Sequence, residues 1–451
     1  MELPENFLKS LQNVSGFNKD DFIALHISGE QVTSIRLNPS KNFKFKLQNV
    51  EFDRVPWSSE GFYLGERPSF TLDPLFHAGV YYVQEASSMF LEQAIIQNID
   101  LTQPLRILDL CAAPGGKSTL IQSLISDESL LVSNEIIKTR VNVLAENLTK
   151  WGAANVVVTN NQPKDFEKLP GFFDVLVVDA PCSGSGLFRK DLDAIDHWSL
   201  DSVAMCARRQ KDILSDALPA LKPGGILIYS TCSYSTAENE EISDWLIDKN
   251  YTSLPIRLQD EWGVVETKSA NSGASGYRFY PDKLKGEGFF IASFKKTSDT
   301  KVDEKPFKNK LQIASQKEVA IVSKYTISQK LHYIKWQDHI LAMPSGVFNA
   351  LSHLQSTLYV KKAGVNIGSV IRDELIPHHE LAMSILLADI HSHEVDQSTA
   401  LDFLRRKDIS IQSTQRGWIL LRHRNIPLGW IKNLGNRINN YYPKEWRILN
   451  K

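Results

Sequence analysis

Four cysteines, Cys111, Cys182, Cys206 and Cys232, are the side chains of this 451-residue chain whose types and settings most suggest chemistry. None stands in the C-x-x-C spacing of a zinc ribbon or redox pair, and four widely spaced thiols are too few for a disulfide scaffold. No metal site is expected, and a reduced, cytoplasmic compartment fits. Taken singly, each cysteine is better explained as a small buried hydrophobe. Two of them lie where that explanation weakens. Cys182 sits in Asp179-Ala180-Pro181-Cys182-Ser183-Gly184-Ser185-Gly186, and Cys232 in Ser230-Thr231-Cys232-Ser233-Tyr234. These are polar settings, poor for a merely hydrophobic cysteine, and each follows a run that reads as a buried strand.

Paired thiols suit covalent catalysis on a pyrimidine. Carbon 5 of the ring is too weak a nucleophile to take a methyl group from a sulfonium, but thiolate addition at carbon 6 raises its electron density. The thiolate is the reactive form, so such a site must depress a thiol pKa or supply a base. The hydrogen on carbon 5 must then leave before the thiolate can be expelled, which gives a second residue a task. Asp179, protonated or sharing a proton, is suited to stabilise the adduct through ring N3 and the exocyclic amine.

The elements that must position these groups run from Leu105 to about Lys296. The runs LRILDL, LLVSNE, NVVVTN, FDVLVVDA and GGILIYST are short, β-branched and bounded by Gly, Pro or Asp, and read as buried strands. Between them KSTLIQSLI, KTRVNVLAENLTKWG, RRQKDILSDALPAL and AENEEISDWLIDK carry apolar residues at helical spacing. That alternation predicts an α/β fold with a parallel sheet covered by helices on both faces. The run GFFIASFKK predicts one more strand, at or near an edge.

In such a sheet ligands bind beyond the carboxyl ends of the strands. The first strand runs into Cys111-Ala112-Ala113-Pro114-Gly115-Gly116-Lys117 at the head of a helix, where small residues let backbone approach a ligand. Gly116-Lys117-Ser118 matches the end of a phosphate-binding P-loop, but its first glycine would fall on Cys111, so that reading fails. Glu135 closes the second strand about 20 residues beyond the turn, the spacing at which a carboxylate accepts both ribose hydroxyls. Asn160 and Asn161 end the third strand, where an amide would read an adenine edge, and Asp179 ends the fourth. A nucleoside ligand is the expectation.

The organisation around this region is predicted as a lead-in domain over 1–70, the α/β domain over 71–296, a polar linker over 297–312, an accessory domain over 313–385 and a final domain over 386–451. Residues 301–451 carry 22 Lys+Arg against 13 Asp+Glu, a net of +9, while the first 300 carry −10, so the overall −1 conceals a basic C-terminal part. Such a part suits a polyanionic partner. No stretch approaches about 18 uninterrupted apolar residues, so no membrane span is expected. The start, MELPENFLKS, lacks the basic and apolar regions of a secretory signal.

The segments CAAPGGK, DAPCSGSG with the following FRKD, and STCSYSTAENEE resemble, in that order, the signatures of the Nol/Nop/Sun family of RNA cytosine-5 methyltransferases. The likeness covers about residues 30–296, including RLNP at 36–39 and YYVQEASSM at 81–89. It implies a class I, Rossmann-like fold and S-adenosylmethionine as cofactor. It implies Cys232 as nucleophile and Cys182 as the residue that assists product release, with Asp179 beside them. Cys111 to Lys117, Glu135, Asp179, Arg140 and Asn161 are the implied cofactor or substrate contacts. DNA cytosine methyltransferases use the P-C cysteine as nucleophile, so this division rests on both cysteines being present. Leu192 stands where the family often has Pro, and NNQP lacks the aspartate common at the adenine position.

The stretch GWILLRHRNIPLGWIKNLGNRINNYYPKEWRIL resembles the PUA-like, RNA-binding C-terminal module of bacterial members that modify small-subunit ribosomal RNA. Its basic and aromatic side chains suit phosphates and bases. The expected function is therefore 5-methylcytosine formation in RNA by a monomer, with 16S ribosomal RNA preferred to tRNA. An amino-group methyltransferase would carry N-P-P-Y or D-P-P-Y where this chain has Asp179-Ala180-Pro181-Cys182. A non-catalytic assembly factor would have no need of both cysteines.

Overall fold

The computed structural model describes residues 3–41, 53–298, 311–327 and 330–449. Most of the expected linker, 297–312, lies outside them. At the N-terminus β1 (Thr33–Leu37), β2 (Gly61–Leu64) and β3 (Tyr81–Val83) form an antiparallel sheet in the order β2-β1-β3, which reaches past residue 70.

The parallel centre follows the runs read from sequence: β4 (Arg106–Asp109), β5 (Leu130–Asn134), β6 (Val156–Thr159), β7 (Phe173–Asp179) and β8 (Leu221–Thr231). They stand in the order β6-β5-β4-β7-β8, all parallel. Alternate residues of each strand enter opposite cores. Leu108, Val132, Val157, Leu176 and Leu227 face one, with Leu214, Ala217 and Leu246 from the helices Leu200–Ala217 and Glu240–Asp248. Ile107, Leu131, Val158, Val177 and Ile228 face the other, with Leu120, Leu144 and Leu148 from Gly116–Leu124 and Lys138–Trp151. Burial on both faces is why these strands read as continuous apolar runs.

Both sides of this centre are longer than the sequence suggested. β9 (Tyr251–Leu254), β10 (Val265–Lys268), β11 (Ser275–Phe279) and β12 (Phe289–Lys296) extend it beyond β8. β12, expected at or near an edge, pairs with β8 on one side and with β11 and β9 on the other, so it is an interior strand. The reason is that the segments covering it are only four or five residues long and mix polar with aromatic side chains, too short for a strand pattern to show.

Beyond the linker, β13 (Gln312–Ile313), β14 (Leu331–Trp336) and β15 (His339–Pro344) lead to the helix Ser345–Thr357, β16 (Val360–Ala363), β17 (Val365–Ile371) and β18 (Glu374–Pro377). Five of these strands form a separate sheet, β13-β14-β15-β17-β18. β16 instead pairs antiparallel with β6, closing the far edge of the ten-stranded central sheet. The helix Ser345–Thr357 buries Val347, Leu351 and Leu354 in the first of the two cores.

The last sheet, β19 (Ser392–Glu394), β20 (Gly417–His423), β21 (Ile426–Asn433) and β22 (Ile438–Asn440), shares a core with the N-terminal one: Ile35, Leu75 and Tyr81 pack among Phe403, Ile419, Leu428 and Tyr442. Among the described residues no helix is long and apolar enough to cross a membrane.

Candidate active site

A cavity of about 460 Å³ opens at the carboxyl ends of β4, β5, β7 and β8, within the size range of small-molecule sites. Its walls bring together most of the residues singled out from sequence: Cys111, Ala113, Glu135, Arg140, Asp179, Cys182 and Cys232. A smaller cavity of about 180 Å³ shares Cys111, Ala113 and Asp179 with it and adds Ala112, Pro114, Gly116 and Lys117.

The turn after β4 is built for close approach. The Ala113–Pro114 peptide is cis, and Gly115 lies at φ +117°, a conformation that L side chains rarely adopt. Gly115 also caps the helix Gly116–Leu124, so the first amides of that helix head the crevice. Below the turn Asp109 is completely buried, accepting from Ser118 Oγ at 2.6 Å with its second oxygen unpartnered. Burial lifts its carboxyl to about 7, with the Asp179 and Glu135 charges adding to the effect and Ser118 and Lys117 opposing it.

Glu135 is buried at the end of β5. Its Oε1 accepts the Ile137 N–H at 2.9 Å, and its Oε2 lies 3.5 Å from Arg140 Nη1. Arg140 also donates to the Ala113 carbonyl at 2.6 Å, tying the glycine turn to the carboxylate. Ile136 and Ile137, 45% and 46% exposed, add apolar wall that sequence reasoning missed, although two isoleucines after a strand-end acid are a visible signal. A buried carboxylate, apolar flanks and open backbone amides are together a donor set that fits a nucleoside with a charged tail.

The third strand end behaves differently. Asn161 is buried and its amide is fully engaged with the backbone of Tyr359: its Nδ2 donates to the Tyr359 carbonyl at 3.0 Å, and the Tyr359 N–H donates to its Oδ1 at 2.9 Å. Asn160 donates to the carbonyls of Glu135 and Ile136 at 2.6 and 3.0 Å. Neither amide lines the cavity, where Pro163 does.

At the other end of the crevice Asp179 is clamped by Lys117 Nζ on Oδ2 and by Ser230 Oγ on Oδ1, both at 2.7 Å. Burial works against the Lys117 ammonium, but the Asp179 charge and hydrogen bond outweigh it, so its proton is held more tightly than usual. The two thiols lie against each other, Cys182 Sγ 3.0 Å from Cys232 Sγ. The Cys182 thiol is pushed well above the ordinary range, first by its hydrogen bond to Cys232 and then by burial. Burial also pushes the Cys111 thiol up, with Asp109, Asp179 and Glu135 adding to the effect. Cys111 stays a neutral wall of the cavity, and Cys206 is not among its wall residues.

Backbone contact fixes the Cys232 turn. The Gly186 N–H donates to the Cys232 carbonyl at 2.7 Å, and a Cβ on Gly186 would fall 2.7 Å from that oxygen and 2.4 Å from the Gly288 carbonyl. Only glycine fits there.

A Rossmann-like sheet with the antiparallel β12 beside β8 and a cavity at its strand ends is the architecture of a class I methyltransferase. Residues 96–295 match the family described as 16S rRNA methyltransferase RsmB/F, residues 3–86 match the N-terminal domain of 16S rRNA methyltransferase RsmF, and residues 390–448 match the RsmF PUA domain. The ribosomal RNA small subunit methyltransferase F of Vibrio vulnificus (strain YJ016) is 30% identical over 98% of this chain and 97% of its own length. That of Pectobacterium atrosepticum is 29% identical over 98% and 95%.

Among solved structures, a methyltransferase homologue from Pyrococcus horikoshii is 30% identical with a TM-score of 0.52, covering 65% of this chain and 100% of its own. NSun6 of the same organism, solved with the cofactor analogue SFG, shares the fold at 21% identity and a TM-score of 0.54, over 66% of this chain and 99% of its own. The chain belongs to the RsmB/F family of RNA methyltransferases, and its methyl donor is S-adenosylmethionine. The fold, enzyme class and cofactor expected from the sequence are those found.

Proposed function

We propose that this protein methylates carbon 5 of cytosine in small-subunit ribosomal RNA through a covalent bond between Cys232 and carbon 6. The observation that carries the reading is the pair of sulfurs 3.0 Å apart at the ends of adjacent strands, bordering the same cavity as Glu135 and the glycine turn. An amino-group methyltransferase needs no thiol there. The ribosomal substrate rests on likeness to relatives named for small-subunit ribosomal RNA and on the basic PUA-like module, whose polyanionic partner would be that RNA.

S-adenosylmethionine supplies an electrophilic methyl group. Glu135 would hold its ribose, Ile136 and Ile137 its adenine, and the amides and small residues from Cys111 to Lys117, with Arg140 bracing the turn, its remaining polar groups. Asn161 serves this side as a brace. Cys232 gives its S–H proton to solvent, and the thiolate adds to carbon 6, shifting the C5=C6 electron pair onto carbon 5, which becomes nucleophilic. Asp179, anchored by Lys117 and Ser230, faces the exocyclic amine and shares a proton with N3 as charge builds in the ring. After transfer, water takes the carbon 5 proton, its electron pair restores the C5=C6 double bond, and the C6–S bond breaks. Cys232 leaves as thiolate. Cys182, held protonated, donates its hydrogen bond to that departing sulfur.

Replacement Cys232→Ala is expected to abolish methyl transfer by on the order of 10³-fold or more, whereas Cys182→Ala leaves enzyme locked to RNA. A denaturing gel of enzyme, ribosomal RNA and cofactor reads both. A slow-migrating adduct from the Cys232 variant would reverse the roles. Bisulfite mapping of total RNA from cells with and without the gene identifies the target and separates rRNA from tRNA.

A further inference from the structure

A buried carboxylate between the two cysteine loops belongs to a residue with no role in the steps above. Glu238, in the turn after β8, is completely buried and makes no ion pair among the described residues. Its carboxylate is held by four donors. The Ser183 N–H and Gln210 Nε2 reach Oε1 at 2.8 and 3.1 Å, and the hydroxyls of Ser183 and Ser233 reach Oε2 at 2.6 and 2.5 Å. Ser183 follows Cys182 and Ser233 follows Cys232, so one carboxylate bridges the residues immediately after both thiols. Asn239 completes the staple on the Cys232 side, accepting from Thr231 Oγ1 and donating to the Ser233 carbonyl, both at 2.7 Å.

A buried charge without a counter-ion is costly, and a neutral side chain would hold two loops at lower expense. We propose that Glu238 is the positioning residue of the thiol pair: it ties the Cys182 loop to the Cys232 loop and holds Cys182 as a hydrogen-bond donor to the departing sulfur. The inference rests on the cysteine roles given above. The groups that feel its charge are Cys182, Cys206 and Tyr229, each of which it helps keep protonated. It touches no substrate.

The test uses the full-length Glu238→Gln variant, which keeps shape and one acceptor but loses the charge. Turnover is expected to fall about 10²-fold, the size of a misplacement of order 1 Å, with the KM for S-adenosylmethionine changed less than about twofold. Decay of the RNA adduct should slow more than its formation, so adduct accumulates, and the high-pH limb of decay should move to lower pH as Cys182 ionises more readily. A purely structural staple would slow both steps together and leave the pH profile in place, and that result overturns the proposal. If this variant melts far below wild type, the Ser183→Ala, Ser233→Ala double variant takes its place, and wild-type adduct decay there also overturns it. A wild-type enzyme that forms no Cys232-dependent adduct sinks both readings; normal adduct chemistry with an indifferent Glu238→Gln sinks only this one.

Discussion

The two halves of the strand-end crevice spend their polar side chains in opposite ways. At β5 and β6, Asn134, Asn160 and Asn161 give their amides to backbone: Asn134 Nδ2 to the Leu110 and Asn161 carbonyls at 3.1 and 3.0 Å, Asn160 to the Glu135 loop, Asn161 to Tyr359. Of that cluster the Glu135 carboxylate lines the cavity, its Oε2 lying 3.5 Å from Arg140 Nη1. At β7 and β8 the polar groups bond among themselves in two sets, Asp179 with Lys117 and Ser230, and Cys182 with Cys232. The first half is a rigid frame with one reader; the second is a set of mutually poised groups. A frame fails by loosening, whereas a poised set fails by losing chemistry with its fold intact.

Beyond the cysteine variants, the largest effect that would test this contrast belongs to Asp179→Asn. The amide keeps the size of the side chain and a bond to Ser230, but it loses the ion pair with Lys117 and cannot share a proton with N3. Turnover should drop about 10²- to 10³-fold, as when a preorganised electrostatic partner is removed, with the protein still folded at the assay temperature although Lys117 loses its partner. Steady-state methyl transfer alongside a melting curve reads both. A variant that loses stability but retains activity would place Asp179 in the frame.

Asn161→Ala should do the reverse. It removes two hydrogen bonds and leaves the Tyr359 N–H without that acceptor, at a cost of about 2 kcal/mol. The consequence is mechanical, because Tyr359 leads into β16, and β16 is the strand by which the accessory region joins the catalytic sheet. The expected result is a lower urea midpoint and a KM for S-adenosylmethionine within about twofold of wild type. A tenfold rise in that KM at unchanged stability would restore Asn161 as a cofactor contact.

This division also explains what could be read from the chain. The central strands were visible because burial on both faces demands β-branched runs, and Cys182 and Cys232 were visible because polar, Gly-rich settings are wrong for packing. Strand β16 was not visible: Val360–Ala363 contains Lys361 and Lys362, and its pairing is set by β6, some 200 residues earlier. The Asn161–Tyr359 exchange is equally long-range and leaves no local trace. β9 to β11 left little trace because they are strands of only four or five residues, and β11, buried along its whole length, still carries Ser275, Gly276 and Arg278. Glu238 was read as part of a helix in AENEEISDWLIDK, whereas the helix begins at Glu240 and Glu238 turns inward to the thiol loops. Two small polar residues directly after two cysteines, with a nearby acid, were the signal available.

The smallest effect concerns Asp109, which ends the strand between the two halves and feels carboxylates from both. Its pKa of about 7 lies above its ordinary value of 3.8, chiefly through burial. A carboxyl raised in the folded state holds a proton that the unfolded chain has already released. The stability it contributes is therefore complete below about pH 4 and is lost as pH rises to about 7. Between pH 6 and 8 the wild type should lose about 1.4 kcal/mol relative to Asp109→Asn, which has no proton to release at this site. Urea midpoints of the two proteins at several pH values, compared as a difference, cancel the other titrating groups. Parallel curves would mean that Asp109 is ionised in the fold and paired, with Lys117 then shared between it and Asp179. The line between frame and poised set would in that case run through β4 itself, with Asp109 counted among the poised groups.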